Sequence, residues 1–204
     1  MKAYPDRVST DPASPIRLAV IVGSNREGRF APTVSRWFAG QLDRRTDIET
    51  DVIDLDDVEI PLRFGAAGRS AMTPFRERIG AADAIVVITP EYNHSYPAPL
   101  KQAIDFVKLE WFAKPIGFVA YGGVSGGLRA VEHLRNVFAE LHAVTIRDSV
   151  SLHGAGGRFD EAGQLLEPEP ADAAAQLMLD ELVWFAEALR AARAARPYTS
   201  LLPS

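Results

Sequence analysis

Residues 84–89 read Ala-Ile-Val-Val-Ile-Thr. The run has no alternation of apolar and polar positions, so neither face of such a strand is meant for water. Antiparallel strands with one wet face alternate. A central parallel strand, covered on both sides, does not. Parallel neighbours also need long crossovers, usually helices. One short run therefore points to a sheet sandwiched between helices.

The rest of the chain follows that rhythm. Ile16–Val22 is apolar and β-branched and breaks at Gly23-Ser24. A helix is predicted over 33–43, where Val34, Trp37, Phe38 and Leu42 recur at helical spacing. Residues 48–55 alternate among acids, as a strand nearer the sheet edge would. Residues 56–70 are expected to be irregular, broken by Pro61, Gly65 and Gly68. Helices are predicted from Thr73-Pro74 to about 82, from Pro97 to about 109, and over 126–141. The remaining strands are 115–121 and 143–150. Residues 154–170 look like a loop, and 171–194 form an Ala-rich C-terminal helix with Met178, Leu182, Phe185 and Leu189 in one stripe. That stripe fits packing on its own domain or on a second subunit. The helix at 98–109, with Leu100, Ile104 and Val107 ahead of Trp111-Phe112, likewise fits core or interface. Five strands alternating with helices imply an α/β three-layer sandwich around a parallel sheet. The expected organisation is a loose segment 1–15, one domain over 16–194 and a loose tail 195–204.

Composition removes several functions. There are 22 basic and 27 acidic residues, a net charge of −5, against a nucleic-acid partner. No apolar run approaches a membrane span. With no cysteine there is no disulfide, thiol nucleophile or thiolate-bound metal. His94, His133, His142 and His153 are scattered, without metal-site spacing, so no metal is expected. No secretory leader is visible at the N-terminus, and the cytoplasm is the expected location.

In open parallel sheets, ligands bind beyond the carboxyl ends of the strands. Three loops there are heavily loaded. Gly23-Ser24-Asn25-Arg26-Glu27-Gly28-Arg29 brings hydroxyl, amide and guanidinium groups to a helix N-terminus. It reads as a phosphate or sulfate cradle, or as a polar turn that caps a helix. It is neither a Walker loop nor a G-x-G-x-x-G fingerprint. The second loop, Pro90-Glu91-Tyr92-Asn93-His94-Ser95-Tyr96-Pro97, is stiffened by two prolines and carries two tyrosines fit for a planar ligand. The third, Tyr121-Gly122-Gly123-Val124-Ser125-Gly126-Gly127, offers bare backbone N–H groups. Each also reads as an ordinary connection.

Taken together, Gly23-Ser24-x-Arg26, Pro90-Glu91-Tyr92-Asn93-x-Ser95-x-Pro97, Leu100-Lys101-x-Ala103-Ile104-Asp105 and Tyr121-Gly122-Gly123-x-Ser125-Gly126-Gly127-x-Arg129-Ala130 resemble the NADPH-dependent FMN reductase family. The resemblance covers roughly residues 16–150. It implies a flavodoxin-like fold, FMN as cofactor and NADPH or NADH as hydride donor. It further implies a small-molecule acceptor such as free flavin or a quinone, and a homodimer or homotetramer. By the same resemblance, Ser24 and Arg26 hold the FMN phosphate with neighbouring N–H groups, and Gly28, Arg29 and Phe30 belong to the cofactor-binding set. Pro90, Glu91, Tyr92 and Asn93 border the isoalloxazine, mainly through backbone. Gly122, Gly123 and Ser125 meet its other edge. Two positions depart from the family. Arg29 stands where many relatives carry Ser, and either supplies charge or points to solvent. Gln102 replaces the more usual Asn.

In this chemistry the protein binds and orients the flavin, so no side chain is nominated as catalytic and His94 is a lip residue. Two alternatives stand beside it. One is an FMN-binding electron carrier without nicotinamide turnover. The other is a serine hydrolase. Gly123-Val124-Ser125-Gly126-Gly127 satisfies G-x-S-x-G between a strand and a helix, and Asp148 and His153 follow in triad order.

Overall fold

The computed structural model describes residues 14–201. Residues 1–13 and 202–204, most of the segments expected to be loose, lie outside the described residues. The sheet consists of β1 (Ile16–Val22), β2 (Ile48–Asp54), β3 (Ala84–Pro90), β4 (Pro115–Gly122) and β5 (Val144–His153). Its order is β2-β1-β3-β4-β5, and all pairs are parallel. The run that most constrains the chain, β3, is central and buried at every position.

The helices are α1 (Ala31–Leu42), α2 (Ala66–Ala71), α3 (Thr73–Ala81), α4 (Ala98–Asp105), α5 (Leu128–Glu140) and α6 (Pro168–Ala195). Strand alternation sorts the core into two layers. Leu18, Val20 and Val22 of β1 pack with α1 and α6. Ala19 and Ile21 pack with α3, α4 and α5. The C-terminal helix therefore covers its own sheet: Met178, Leu179 and Leu182 are buried there, while Leu177 and Trp184 remain exposed on its outer side. Leu100, Ile104, Val107, Trp111 and Phe112 are core as well. Among the described residues, no helix is long and apolar enough to cross a membrane.

Several boundaries differ from expectation. The helix expected to reach about 109 stops at Asp105. The chain then makes a separate 3₁₀ turn, Leu109–Trp111, whose indole is buried and donates to the Ile104 carbonyl at 3.3 Å. Residues 56–70 contain the first part of α2. Gly68 suits it because a Cβ there would lie 2.7 Å from the Arg63 carbonyl oxygen. β5 runs three residues beyond 150, since Ser151, Leu152 and His153 pair with the end of β4. In the tail, Tyr198–Leu201 forms a 3₁₀ turn, and the Tyr198 ring packs on Phe112 and His142.

The strand order reverses direction between β1 and β3. That switch opens a crevice at their carboxyl ends, and the three loaded loops meet around it.

Candidate functional site

The loop after β1 starts from a backbone bond, Gly23 N–H to the Ile88 carbonyl at 2.8 Å, which ties it to β3. Ser24 is wholly buried, and its hydroxyl shares a 2.9 Å hydrogen bond with that of Tyr92. Loops separated by the whole β2 crossover are thereby joined across the switch point. Phe30 occupies the N-cap of α1 without a side-chain cap; Pro32 brings no N–H, Thr33 N–H donates to the Phe30 carbonyl at 3.1 Å, and the Ala31 N–H has no partner among the described residues.

The two arginines of this loop part company. Arg26 is exposed, and its side chain has no partner among the described residues; its carbonyl accepts from the Arg29 N–H at 3.0 Å. Arg29 turns toward β2. It makes a two-pronged bond to Asp54 at 2.5 and 2.9 Å, meets Asp56 at 3.1 Å and donates to the Ser24 carbonyl at 2.7 Å. The Asp54 bond, against the opposing effect of burial, raises the pKa of Arg29 above the ordinary arginine value. Its charge is already met by carboxylates. Arg29 does not point to solvent: it braces the loop to the sheet edge.

The second loop is a tight two-residue turn. Tyr92 N–H donates to the Ser95 carbonyl at 2.9 Å, and Ser95 N–H to the Tyr92 carbonyl at 3.0 Å. The central pair, Asn93 and His94, both have positive φ, 49° and 71°. Ahead of the turn, Glu91 N–H donates to the Tyr121 carbonyl at 3.0 Å. The Glu91 side chain, only 7% exposed, accepts from the Arg129 backbone N–H at 3.1 Å and its guanidinium at 3.0 Å. Burial opposes ionisation of Glu91. The Ser125 hydroxyl and the two Arg129 donors outweigh it and hold the carboxyl below its usual value. Glu91 thus caps α5 from a different loop, a role its position in the sequence did not suggest.

In the third loop, Gly127 has φ +91°, and a Cβ there would lie 2.5 Å from that of Ala120. Only glycine lets the chain turn this close to β4. An open cleft of about 390 Å³ lies here, between Phe30, Tyr121, Gly122, Gly123 and the turn at 154–156. The Tyr121 hydroxyl is buried and has no hydrogen-bond partner among the described residues. Burial raises its pKa far above the ordinary phenol value, so it stays protonated. Tyr121 opens the third loaded loop but is not among the cofactor-binding residues nominated from the sequence, and the 154–156 turn reads there only as part of a loop. The glycines at 154, 156 and 157 were the available signal.

The hydrolase arrangement does not form. Ser125 bonds Glu91. His153 is held on both ring nitrogens, Nδ1 at 2.9 Å from the Val124 carbonyl and Nε2 at 3.2 Å from Ser151 Oγ. Asp148 pairs with Arg147 at 2.6 Å. The extension of β5 fixes His153 in the sheet ladder, where both ring nitrogens are engaged by partners other than Ser125.

Residues 16–157 match the sequence pattern of the family described as NADPH-dependent FMN reductase. An FMN-dependent NADPH-azoreductase of Staphylococcus haemolyticus is 29% identical over 178 residues, covering 81% of this chain and 93% of that protein. A probable NADPH:quinone oxidoreductase of rice (Oryza sativa) is 31% identical, covering 79% and 84%. An NAD(P)H-dependent FMN reductase of Schizosaccharomyces pombe is 34% identical over 120 residues, 60% of its own length. Among solved structures, a flavoenzyme NAD(P)H:(acceptor) oxidoreductase from Paracoccus denitrificans superposes with a TM-score of 0.66 at 21% identity, covering 83% of this chain and 97% of that one. An oxidised flavodoxin from Bacillus cereus gives 0.52 at 17%, covering 82% and 97%. At these identities the structural matches speak for the fold.

Proposed function

The chain belongs to the NADPH-dependent FMN reductase family, and we propose that the three loops after β1, β3 and β4 form one flavin site serving its FMN-dependent NAD(P)H oxidoreductase activity. The observation that carries this reading is the Ser24–Tyr92 bond across the switch point. It joins the loop suited to a phosphate to the loop suited to a planar ring. The residues present fit FMN: a cleft floored by glycine backbone, a buried unpartnered hydroxyl beside it, and the unbonded Ala31 N–H at the start of α1.

When bound, FMN would supply the hydride-accepting and electron-passing chemistry. The chain's own residues bind and orient. Arg26 and the N–H groups of Gly28 and Phe30 meet the phosphate, with Ser24 holding the loop floor and the Arg29 N–H closing the turn on the Arg26 carbonyl. Pro90, Glu91, Tyr92 and Asn93 border the ring, and the backbone of Gly122, Gly123 and Ser125 faces its other edge. N–H groups there stabilise negative charge that develops on reduction. Arg29 belongs to this set as a brace.

The acceptor is a small planar oxidant, a quinone, an azo compound or free flavin, in line with the names of the relatives. The protein acts as a homodimer or homotetramer in the cytoplasm; light scattering and cell fractionation check those two points. Purified protein is heated, and the released chromophore is identified by chromatography. FMN is the expected product, and the apoprotein rebinds FMN with quenching of flavin fluorescence. Recovery of FAD alone, or no rebinding, would sink the assignment.

A further inference from the structure

We propose that His133 is a positioning residue for the turn that faces the flavin, and that one face of α5 holds this turn at both ends. The inference rests on the flavin reading above. Arg129 and His133 stand four residues apart on α5 and therefore share a face. Arg129 grips Glu91, just before the turn, through its backbone and its guanidinium. His133 Nδ1 lies 2.9 Å from Ser95 Oγ, at the end of the turn.

Between these two grips sit Asn93 and His94, both at positive φ. That conformation is uphill for residues with a Cβ. The two backbone bonds between Tyr92 and Ser95 close the turn but do not place it over the sheet. Placement comes from Ser24 through Tyr92 on one flank and from α5 on the other. His133 acts through Ser95. Its ring centroid is 6.1 Å from that of His94, the lip residue. The Ser95–His133 bond is exposed, so water competes with it and its loss is modest. The consequence is a looser turn in a protein that still folds.

The test compares His133→Ala, His133→Asn, Ser95→Ala and the His133→Ala/Ser95→Ala double variant with wild type. An Asn amide can present a hydrogen-bonding atom near the place of Nδ1. Three quantities are read: the FMN dissociation constant by fluorescence quenching, kcat and KM for NADPH separately at saturating FMN, and the thermal midpoint of the apoprotein. Each Ala variant is expected to weaken FMN about 2- to 10-fold. Each also lowers kcat by a similar factor with little change in KM. The double variant is no worse than either single, His133→Asn recovers most of the loss, and the apo midpoint stays within about 2 °C. The proposal is overturned if both single variants bind and turn over like wild type. It is equally overturned if the double variant shows the product of the two single effects, or if His133→Asn is as impaired as His133→Ala. Wild-type protein that fails to bind FMN would sink the flavin reading itself, an outcome separable from these.

Discussion

Both ends of the sheet pair their buried charges, but the carboxyl end also leaves polar groups open beside a strained turn. At the amino end, buried charge is paired. Asp83, 1% exposed, lies within 3.4 to 3.7 Å of Arg17, Arg190 and Arg193. Lys114 donates to the Ile79 and Gly80 carbonyls at 2.5 and 2.8 Å and so caps the last turn of α3. Glu110, also buried, meets Arg76 at 2.6 Å. At the carboxyl end, groups are left open or strained: the Tyr121 hydroxyl without a partner, the uncapped start of α1, and two residues at positive φ. The amino end ties β1, β3, β4 and α6 together. The carboxyl end keeps donors available to a ligand, at some cost in stability.

If that contrast is right, the largest effect on stability belongs to the amino end. Asp83→Asn leaves three arginines without their shared carboxylate and should cost about 3–5 kcal/mol. Denaturant unfolding measures it, and FMN affinity of the folded fraction should stay near wild type. A loss under about 1 kcal/mol would break the comparison.

Arg26→Ala should show the converse. Removing a charge-assisted phosphate contact weakens FMN by roughly 10- to 150-fold, about 1.5–3 kcal/mol. Unfolding of the apoprotein should move by less than about 0.5 kcal/mol, because Arg26 is exposed. Unchanged affinity would place the phosphate elsewhere.

A third measurement uses pH. Burial first, and then the charge of Arg193, push Lys114 down to about 7 from 10.5. Asp83 and Glu110 oppose the shift, and Arg17 adds to it. The unfolded chain therefore holds the proton between about pH 7 and 10 while the folded chain does not, so stability rises with pH across that window. Relative to Lys114→Met, wild type should gain about 1–3 kcal/mol between pH 7 and 9. A flat difference between the two unfolding curves would show that the amine stays charged when buried.

The smallest effect has the opposite sign. Tyr121→Phe removes a buried hydroxyl that has no partner. The apoprotein should become more stable by up to about 1 kcal/mol. A destabilised apoprotein in thermal melts would mean that the hydroxyl is already satisfied, and the carboxyl end would lose its clearest open group.

Much of this was legible in residue order. The unbroken apolar run at 84–89 announces a central parallel strand, and the alternating, acid-rich 48–55 announces an edge. Both signals are local: they depend on side-chain period and on which faces water can reach. The three loaded loops are legible for the same reason, since each lies between a strand and a helix. Boundaries are less so. Residues 151–153 join β5 because β4 offers them partners, and no property of Ser-Leu-His requires it.

What the sequence by itself determined is the alternation of the five strands with their main helices, the burial of β3 and the loops that carry ligand-binding groups. Tertiary structure alone decided which of those groups are free. Arg26 and Arg29 look alike in sequence, but strand order sets β2 beside β1 and delivers Asp54, 25 residues away, to Arg29. Glu91 becomes the cap of α5 because β3 lies next to β4. His153 spends its ring nitrogens on the Val124 carbonyl and Ser151 because β5 pairs three residues further along β4. A charge or a hydrogen bond is a pairwise property. Its partner is fixed by where the chain returns in space, and neighbours along the chain carry no record of that.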